Sequence, residues 1–245
     1  MTKTAVLIAA AGSGTRFGGK TPKQFADIDG RAVFLRTIEK FADREDVAQI
    51  ILAIPADQQE IFEIRHSAKL VFFGVKTVFG GTERHGTIEN MLKEVNPDID
   101  LIAIHDAARP CITKEQIDAV FVAAIETGAA ILASPLVGTI KKVDNEHNIV
   151  GTVDRSKLWQ AQTPQVFKAE IIRKAYENIA NITEPITDDA QLAESLNIAV
   201  KVVPSDETNI KITNQVDLAI AAAILKSQAP KPKRGGNPFQ ADKMW

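Results

Sequence analysis

Cysteine is almost absent: Cys111 is the single thiol in 245 residues. One thiol cannot close an internal disulfide, so a small secreted disulfide scaffold is excluded and a reducing, cytoplasmic setting is expected. Positive charge is not in excess either, with 29 Lys and Arg against 31 Asp and Glu. A nucleic-acid binder is ordinarily basic, so no nucleic-acid partner is expected. No apolar run approaches the ~20 residues of a membrane span, and the chain opens on a strand-like run rather than a secretory leader; no membrane partner is expected. Internal repeats are also missing. Apolar residues are plentiful, at 45%, enough for the core of one large domain.

Short apolar runs alternate with helical patterns. Runs at 5–9, 50–54, 76–79, 101–105, 130–134 and 199–203 predict strands, and spacing at 33–41, 57–65, 83–95, 114–127, 169–178, 188–196 and 215–226 predicts helices. This alternation predicts an α/β fold, a mostly parallel sheet flanked by helices. Ligands of such sheets bind beyond the carboxyl ends of the strands. The loop after the first strand and the segment His105-Asp-Ala-Ala-Arg-Pro110 should therefore meet on one edge. Residues 138–143 and 149–153 flank a polar turn and predict a β-hairpin. A lone hairpin is marginal in water, so it either projects as an arm that clasps a second subunit or folds onto its own domain. The expected domain is 1–227 with the arm at 136–156 inside it, and 228–245, rich in Pro, Gly and Lys, reads as a disordered basic tail.

The stretch from Val6 to Phe25, VLIAAAGSGTRFGGKTPKQF, carries the most chemistry. An apolar strand runs into a loop holding Gly12, Gly14, Gly18 and Gly19, with the cations Arg16 and Lys23 among residues of little bulk. Such a loop suits phosphates, because backbone N–H groups can approach the anion and the cations neutralise it. Gly14 to Thr21 literally satisfies the P-loop spacing, and Asp106 could pass for its magnesium aspartate. Pro22 and Asp27-Ile-Asp-Gly30, however, deny the long helix that a P-loop lysine opens, and Phe17 is bulky for a phosphate cradle. A dinucleotide fingerprint fares worse, because Phe17 stands where its third glycine belongs. The loop instead resembles the A-G-x-G-x-R…P-K signature of nucleoside-triphosphate sugar nucleotidyltransferases.

Further motifs follow in order: Gly80-Gly-Thr-Glu-Arg-His-Gly-Thr87, HDAARP, Thr152-Val-Asp-Arg155, Leu158-Trp-Gln-Ala-Gln-Thr-Pro-Gln165, Thr187-Asp-Asp-Ala190 and Asn209-Ile-Lys-Ile-Thr213. With them the chain resembles the 2-C-methyl-D-erythritol 4-phosphate cytidylyltransferase family of the non-mevalonate isoprenoid pathway, from about residue 4 to 226. The resemblance implies a Rossmann-like α/β fold, a homodimer with an exchanged hairpin arm, CTP as donor, methylerythritol 4-phosphate as acceptor and Mg2+ as cofactor. It implies catalytic roles for Arg16, Lys23 and Lys211 around the α-phosphate, with Lys20 in a variable part of the loop. Ala10, Ala11, Gly12, Gly14, Gly80, Gly81, Thr87, Asp106 and Ala107 would contact CTP, with Gly80, Gly81 and Thr87 reading cytosine. Asp106 would hold the metal and, with Arg109, Thr139, Arg155, Thr163 in a QTPQ turn and Thr187, would face the acceptor.

Thr187 equally reads as the N-cap of the next helix. Arg84 could contact phosphate or open its helix. His105 reads as strand-end packing and Cys111 as buried and inert. Thr208 stands where the family often has an acid, with Asp206 and Glu207 as near substitutes. Two alternatives share these features: a ribitol 5-phosphate cytidylyltransferase, and a non-catalytic nucleotide-binding regulator on the same fold. TVDRSKLWQAQTPQ and TDDA favour methylerythritol, and the full set of cations favours an enzyme.

Overall fold

The computed structural model describes residues 1–12, 17 and 25–229. Strand β1 (Thr4–Ala9), buried along nearly its whole length, lies inside a seven-stranded sheet. Strands β4 (Val47–Ile54) and β6 (Leu101–Asp106) flank it in parallel, with Ile8 opposite Leu52 and His105. Successive strand side chains point to opposite faces. Val6 and Ile8 therefore join helices α1 (Val33–Ala42), α2 (Gln59–Phe72) and α4 (Lys114–Thr127), while Ala5 and Leu7 join α3 (Arg84–Leu92), α5 (Ala169–Glu177) and α6 (Asp189–Ser195). Burial on both faces is why these strands read as continuous apolar runs. Each fully buried Phe or Leu, such as Phe34 and Leu7, contributes about 1.5–3 kcal/mol.

Strand β5 (Val75–Phe79) forms one edge, in parallel with β4. Beyond β6 come β10 (Trp159–Lys168), then β7 (Ala129–Pro135) and finally β11 (Lys201–Pro204) at the other edge. Helix α4 starts on a reciprocal cap, Thr113 Oγ1 accepting the Gln116 N–H and Gln116 Oε1 accepting the Thr113 N–H. It stops at Gly128, whose φ of 89° is left-handed and closes the last turn. A third apolar cluster joins Phe17, Ile28, Val33, Cys111 and Ile212 under helix α7 (Gln215–Gln228).

Four features depart from expectation. The QTPQ segment is no turn: it lies inside β10, which runs antiparallel to both β6 and β7. Proline cannot donate to a ladder, and the register breaks between Ala161 and Gln165 to absorb it. The short strands β2 (Asp27–Ile28) and β3 (Arg31–Ala32) flank an Asp29-Gly30 turn with φ of 49° and 77°, the positive pair that tight hairpins favour. Helix α2 continues to Phe72, past the expected end at 65; its second half buries only Leu70 and so leaves little periodic signal in the sequence. Helix α7 includes Gln228, whose side-chain amide donates to the Cys111 carbonyl at 2.7 Å; the expected tail beyond Ala229 lies outside the described residues.

The hairpin forms as expected, from β8 (Ile140–Val143) and β9 (Ile149–Val153), as a separate two-stranded sheet. Ile149 is 65% exposed and Val150 57%, so its apolar side chains are not covered by the chain's own domain.

Candidate active site

Asp106 ends β6 at the carboxyl edge of the sheet and is almost fully buried. Lys211 Nζ lies 2.7 Å from its Oδ2, Arg109 Nε 3.6 Å from the same oxygen, and Arg84 Nε 3.8 Å from Oδ1. Burial alone would raise the Asp106 pKa, but Lys211, Arg84 and Arg109 together outweigh it and hold the carboxyl well below the usual carboxylate range. Asp106 is therefore ionised at any working pH. Lys211 sits on the loop between β11 and α7, and the Ile212 N–H anchors that loop to the Ala108 carbonyl at 2.9 Å.

A buried relay fixes these groups from behind. Thr163 Oγ1 accepts the Asp106 N–H at 3.0 Å and lies 3.0 Å from His105 Nδ1. His105 Nε2 is 3.2 Å from the Arg109 carbonyl, which can only accept, so the proton sits on Nε2 and Nδ1 accepts from Thr163. Burial pushes His105 down to about 4, which keeps it neutral near pH 7. Arg109 Nη1 donates to the Asn209 carbonyl at 2.7 Å, and Asn209 Nδ2 donates to Gln162 Oε1 and to the Thr163 carbonyl, both at 3.0 Å. The bulge in β10 that breaks the ladder is what frees Gln162 and Thr163 for these bonds.

A cavity of about 340 Å³ opens onto Asp106, lined by Ala9 to Gly12, Gly81 to Arg84, Thr87, Ala108 and Lys211. Its size suits a small organic ligand. A wider groove of about 800 Å³ beside Met1, Ile99 and Arg173 lies at the other end of the sheet, away from this cluster. Two glycines narrow the cavity wall. A Cβ on Gly80 would stand 2.1 Å from Ala11 Cβ, and one on Gly81 would stand 2.8 Å from the Gly86 carbonyl carbon. Thr87 Oγ1 accepts the Gly81 N–H at 3.0 Å and donates to the Glu83 carbonyl, so it shapes this loop.

Residues 4–227 match the family model for IspD, 2-C-methyl-D-erythritol 4-phosphate cytidylyltransferase. The chain belongs to the 2-C-methyl-D-erythritol 4-phosphate cytidylyltransferase family. The protein of that name from Endomicrobium trichonymphae is 40% identical over 92% of this chain and all of its own length. The one from Solibacter usitatus is 37% identical, covering 94% of this chain and 98% of its own. The crystal structure of 4-diphosphocytidyl-2C-methyl-D-erythritol synthase from Anaerococcus prevotii superposes with a TM-score of 0.79 at 28% identity, over 92% of this chain and 96% of that one. Membership of the cytidylyltransferase family sets aside the P-loop and dinucleotide readings and makes the chain a nucleotidyltransferase.

The fold brings together most residues that the cytidylyltransferase resemblance singled out. Arg109, Lys211 and Thr163 each contact Asp106, and Ala10, Ala11, Gly12, Gly81 and Thr87 line the cavity with Gly80 packed against Ala11. The Ala107 N–H donates to the Ala9 carbonyl at 3.1 Å, joining the two ligand-edge loops. Gly14, Arg16, Lys20 and Lys23 lie outside the described residues. Thr139 and Arg155 are exposed at the root of the hairpin, where Arg155 Nη1 donates to the Val137 carbonyl. Thr187 is exposed and is not the N-cap of α6: Asp188 is, its carboxylate accepting the Gln191 N–H at 3.0 Å. Asp206, a possible stand-in for the missing acid, accepts from the Thr208 N–H. Cys111 is fully buried, and burial pushes its thiol up to about 11, which makes it inert.

Sequence reading gave no role to Gln162, Gln165, Tyr176 or Asp189. The signal that points to Asp189 is Arg84 itself: a cation at a helix N-terminus opposes the dipole, so it calls for an anion nearby. Arg84 Nη1 is 2.7 Å from Asp189 Oδ2.

Proposed function

We propose that the chain transfers a cytidylyl group from CTP to 2-C-methyl-D-erythritol 4-phosphate and releases pyrophosphate, supplying isoprenoid precursor synthesis. The observation that carries this reading is the ionised Asp106 at the carboxyl edge of β6, faced by Lys211, Arg109 and Arg84 at the mouth of a glycine-walled cavity. A phosphate oxygen attacks the α-phosphorus of a triphosphate, and charge spreads over the phosphoryl oxygens as pyrophosphate leaves. Neither partner needs a proton moved, so positioned cations do the work. Neutral, hydrogen-bonded His105 fits a reaction without a general base.

In this reading Ala10, Ala11 and Gly12 face the nucleotide and Gly80, Gly81 and Thr87 face its base. Arg16, Lys23 and Lys211 stabilise the α-phosphoryl group. Arg109 binds the acceptor's phosphate, Thr187 borders the acceptor, and buried Thr163 serves the site from behind by fixing Asp106. Asp106 fits Mg2+: it is a hard carboxylate, and magnesium is usually held by one or two carboxylates plus substrate phosphates. No group of three metal-ligating side chains occurs among the described residues, so the phosphates would complete the shell. Bound there, the ion would offset phosphate charge.

The uncovered hairpin supports an arm exchanged between two copies, with Thr139 and Arg155 serving the neighbouring copy's acceptor site. One inert thiol fits a cytoplasmic enzyme. The test is pyrophosphate release from Mg–CTP by purified protein with methylerythritol 4-phosphate, with ribitol 5-phosphate in parallel. Release with the first acceptor supports the reading. Release with ribitol 5-phosphate alone would assign the sibling reaction, and silence with both would leave a nucleotide-binding regulator.

A further inference from the structure

Arg84 is held by two carboxylates at unequal range. Its Nη1 is 2.7 Å from Asp189 Oδ2, a close ion pair, while its Nε stands 3.8 Å from Asp106 Oδ1. Asp189 is itself immobilised from two other elements. Tyr176 Oη in α5 donates to its Oδ1 at 2.6 Å, and its own N–H at the start of α6 donates to Gln165 Oε1 of β10 at 2.9 Å. Gln165 also accepts the Ala190 N–H and donates to Asp188 Oδ2, both at 2.9 Å. Asp189 is 1% exposed. Arg84 and Asp106 line the cavity, whereas Asp189, Tyr176 and Gln165 do not.

The two oxygens of Asp106 therefore differ. Oδ2 is engaged by Lys211 at 2.7 Å, while Oδ1 receives no hydrogen bond from the described residues and has the Arg84 guanidinium standing just out of reach. We propose that Asp189 is a positioning residue: it draws the Arg84 guanidinium off Asp106 and so keeps Asp106 Oδ1 open to the divalent cation that accompanies the nucleotide. This rests on the reading of Asp106 as the carboxylate that holds that cation. Tyr176 and Gln165 fix Asp189 in the position that makes the division unequal. Without the Asp189 charge, Asp106 is the anion left to Arg84, and the guanidinium closes onto Oδ1.

The test is Mn2+ binding to the full chain in the presence of CTP, read from the free Mn2+ signal by electron paramagnetic resonance as the further loss beyond that caused by the same CTP without protein. Four proteins are compared: wild type, Asp189→Asn, Asp189→Asn with Arg84→Gln, and Tyr176→Phe. The single Asp189 variant is expected to bind Mn2+ about tenfold more weakly or worse, the usual scale for partners that stand behind a metal ligand. Adding Arg84→Gln removes the guanidinium that blocks Oδ1 and should recover most of that loss, which a merely structural role for Asp189 would not produce. Tyr176→Phe leaves the ion pair but loosens it, and should weaken binding about two- to threefold, below that range.

Asp189→Asn binding like wild type, or a double variant no better than the single, would overturn the proposal. If Asp189→Asn does not fold, the double variant and Tyr176→Phe decide: the proposal stands if the double variant binds near wild type and Tyr176→Phe binds more weakly, and it fails otherwise. Wild type that binds no Mn2+ with CTP would overturn the reading of Asp106 itself, and the proposal with it.

Discussion

Thr163→Val replaces one hydroxyl with a methyl group and changes almost nothing else. That hydroxyl oxygen accepts the Asp106 N–H and is bonded to His105 Nδ1, each at 3.0 Å. Thr163 is 5% exposed and His105 fully buried, so water cannot replace the hydroxyl. A buried polar group left unpaired costs about 1–3 kcal/mol, and two such groups put the expected loss at about 2–6 kcal/mol. Domains of this kind are stable by about 5–15 kcal/mol in total, so the loss is large. Urea unfolding of the ligand-free protein, followed by circular dichroism, measures it. Thr163→Ser keeps the hydroxyl and should lose about 1 kcal/mol, the scale of one buried methyl group. The valine variant should also turn over more slowly, because the Asp106 backbone loses its anchor. A valine variant within about 0.5 kcal/mol of wild type, the range of neutral surface changes, would refute the relay.

Four further outcomes are expected. His105 has its folded pKa depressed from 6.5 to about 4, so the unfolded chain binds the extra proton first; stability is full above pH 6.5, falls by up to about 3 kcal/mol as pH drops toward 4, and levels off below. Urea titrations of metal-free wild type and His105→Gln across that window should show a clearly shallower slope in the variant, the remainder coming from His66 and the paired carboxylates. Gly81→Ala drives a Cβ to 2.8 Å from backbone at Gly86, and calorimetry should show weakened CTP binding together with an overpacking loss of about 1–3 kcal/mol. In steady-state assays Lys23→Ala should cost about 3–4 kcal/mol of transition-state stabilisation while Lys20→Ala costs little; the P-loop reading requires the reverse. Ile149→Asp with Val150→Asp places charge on the exposed hairpin, and light scattering should show a dimer converted to monomer with activity lost.

Much of this molecule is legible in its sequence because its strands are buried on both faces. The runs containing Val6–Ile8, Ile50–Ile54 and Ile102–Ile104 could hardly be anything but strands, and Asp106 at the end of one of them is placed at the ligand edge by topology alone. Strand β10 was not legible. Pro164 contradicts a central strand, and only the local break in register, invisible in one dimension, reconciles them. The QTPQ residues consequently read as a turn that touches substrate, while the structure shows Gln162 and Thr163 wiring Asp106 to Asn209 and His105. Asp189 was hidden for a different reason. Its partner Arg84 is 105 positions away in sequence, and pairing of two charges over that distance depends on α3 and α6 packing on the same sheet face.

Phosphorus NMR of one reaction mixture tests cytidylyl transfer most directly. Protein, Mg2+, CTP and methylerythritol 4-phosphate are mixed, and the phosphomonoester resonance of the acceptor is followed. Transfer requires that this resonance give way to a coupled pair from a new diphosphate linkage, with one pyrophosphate formed for each linkage. An acceptor resonance that persists, whether CTP stays intact or is merely hydrolysed to CMP, would contradict it.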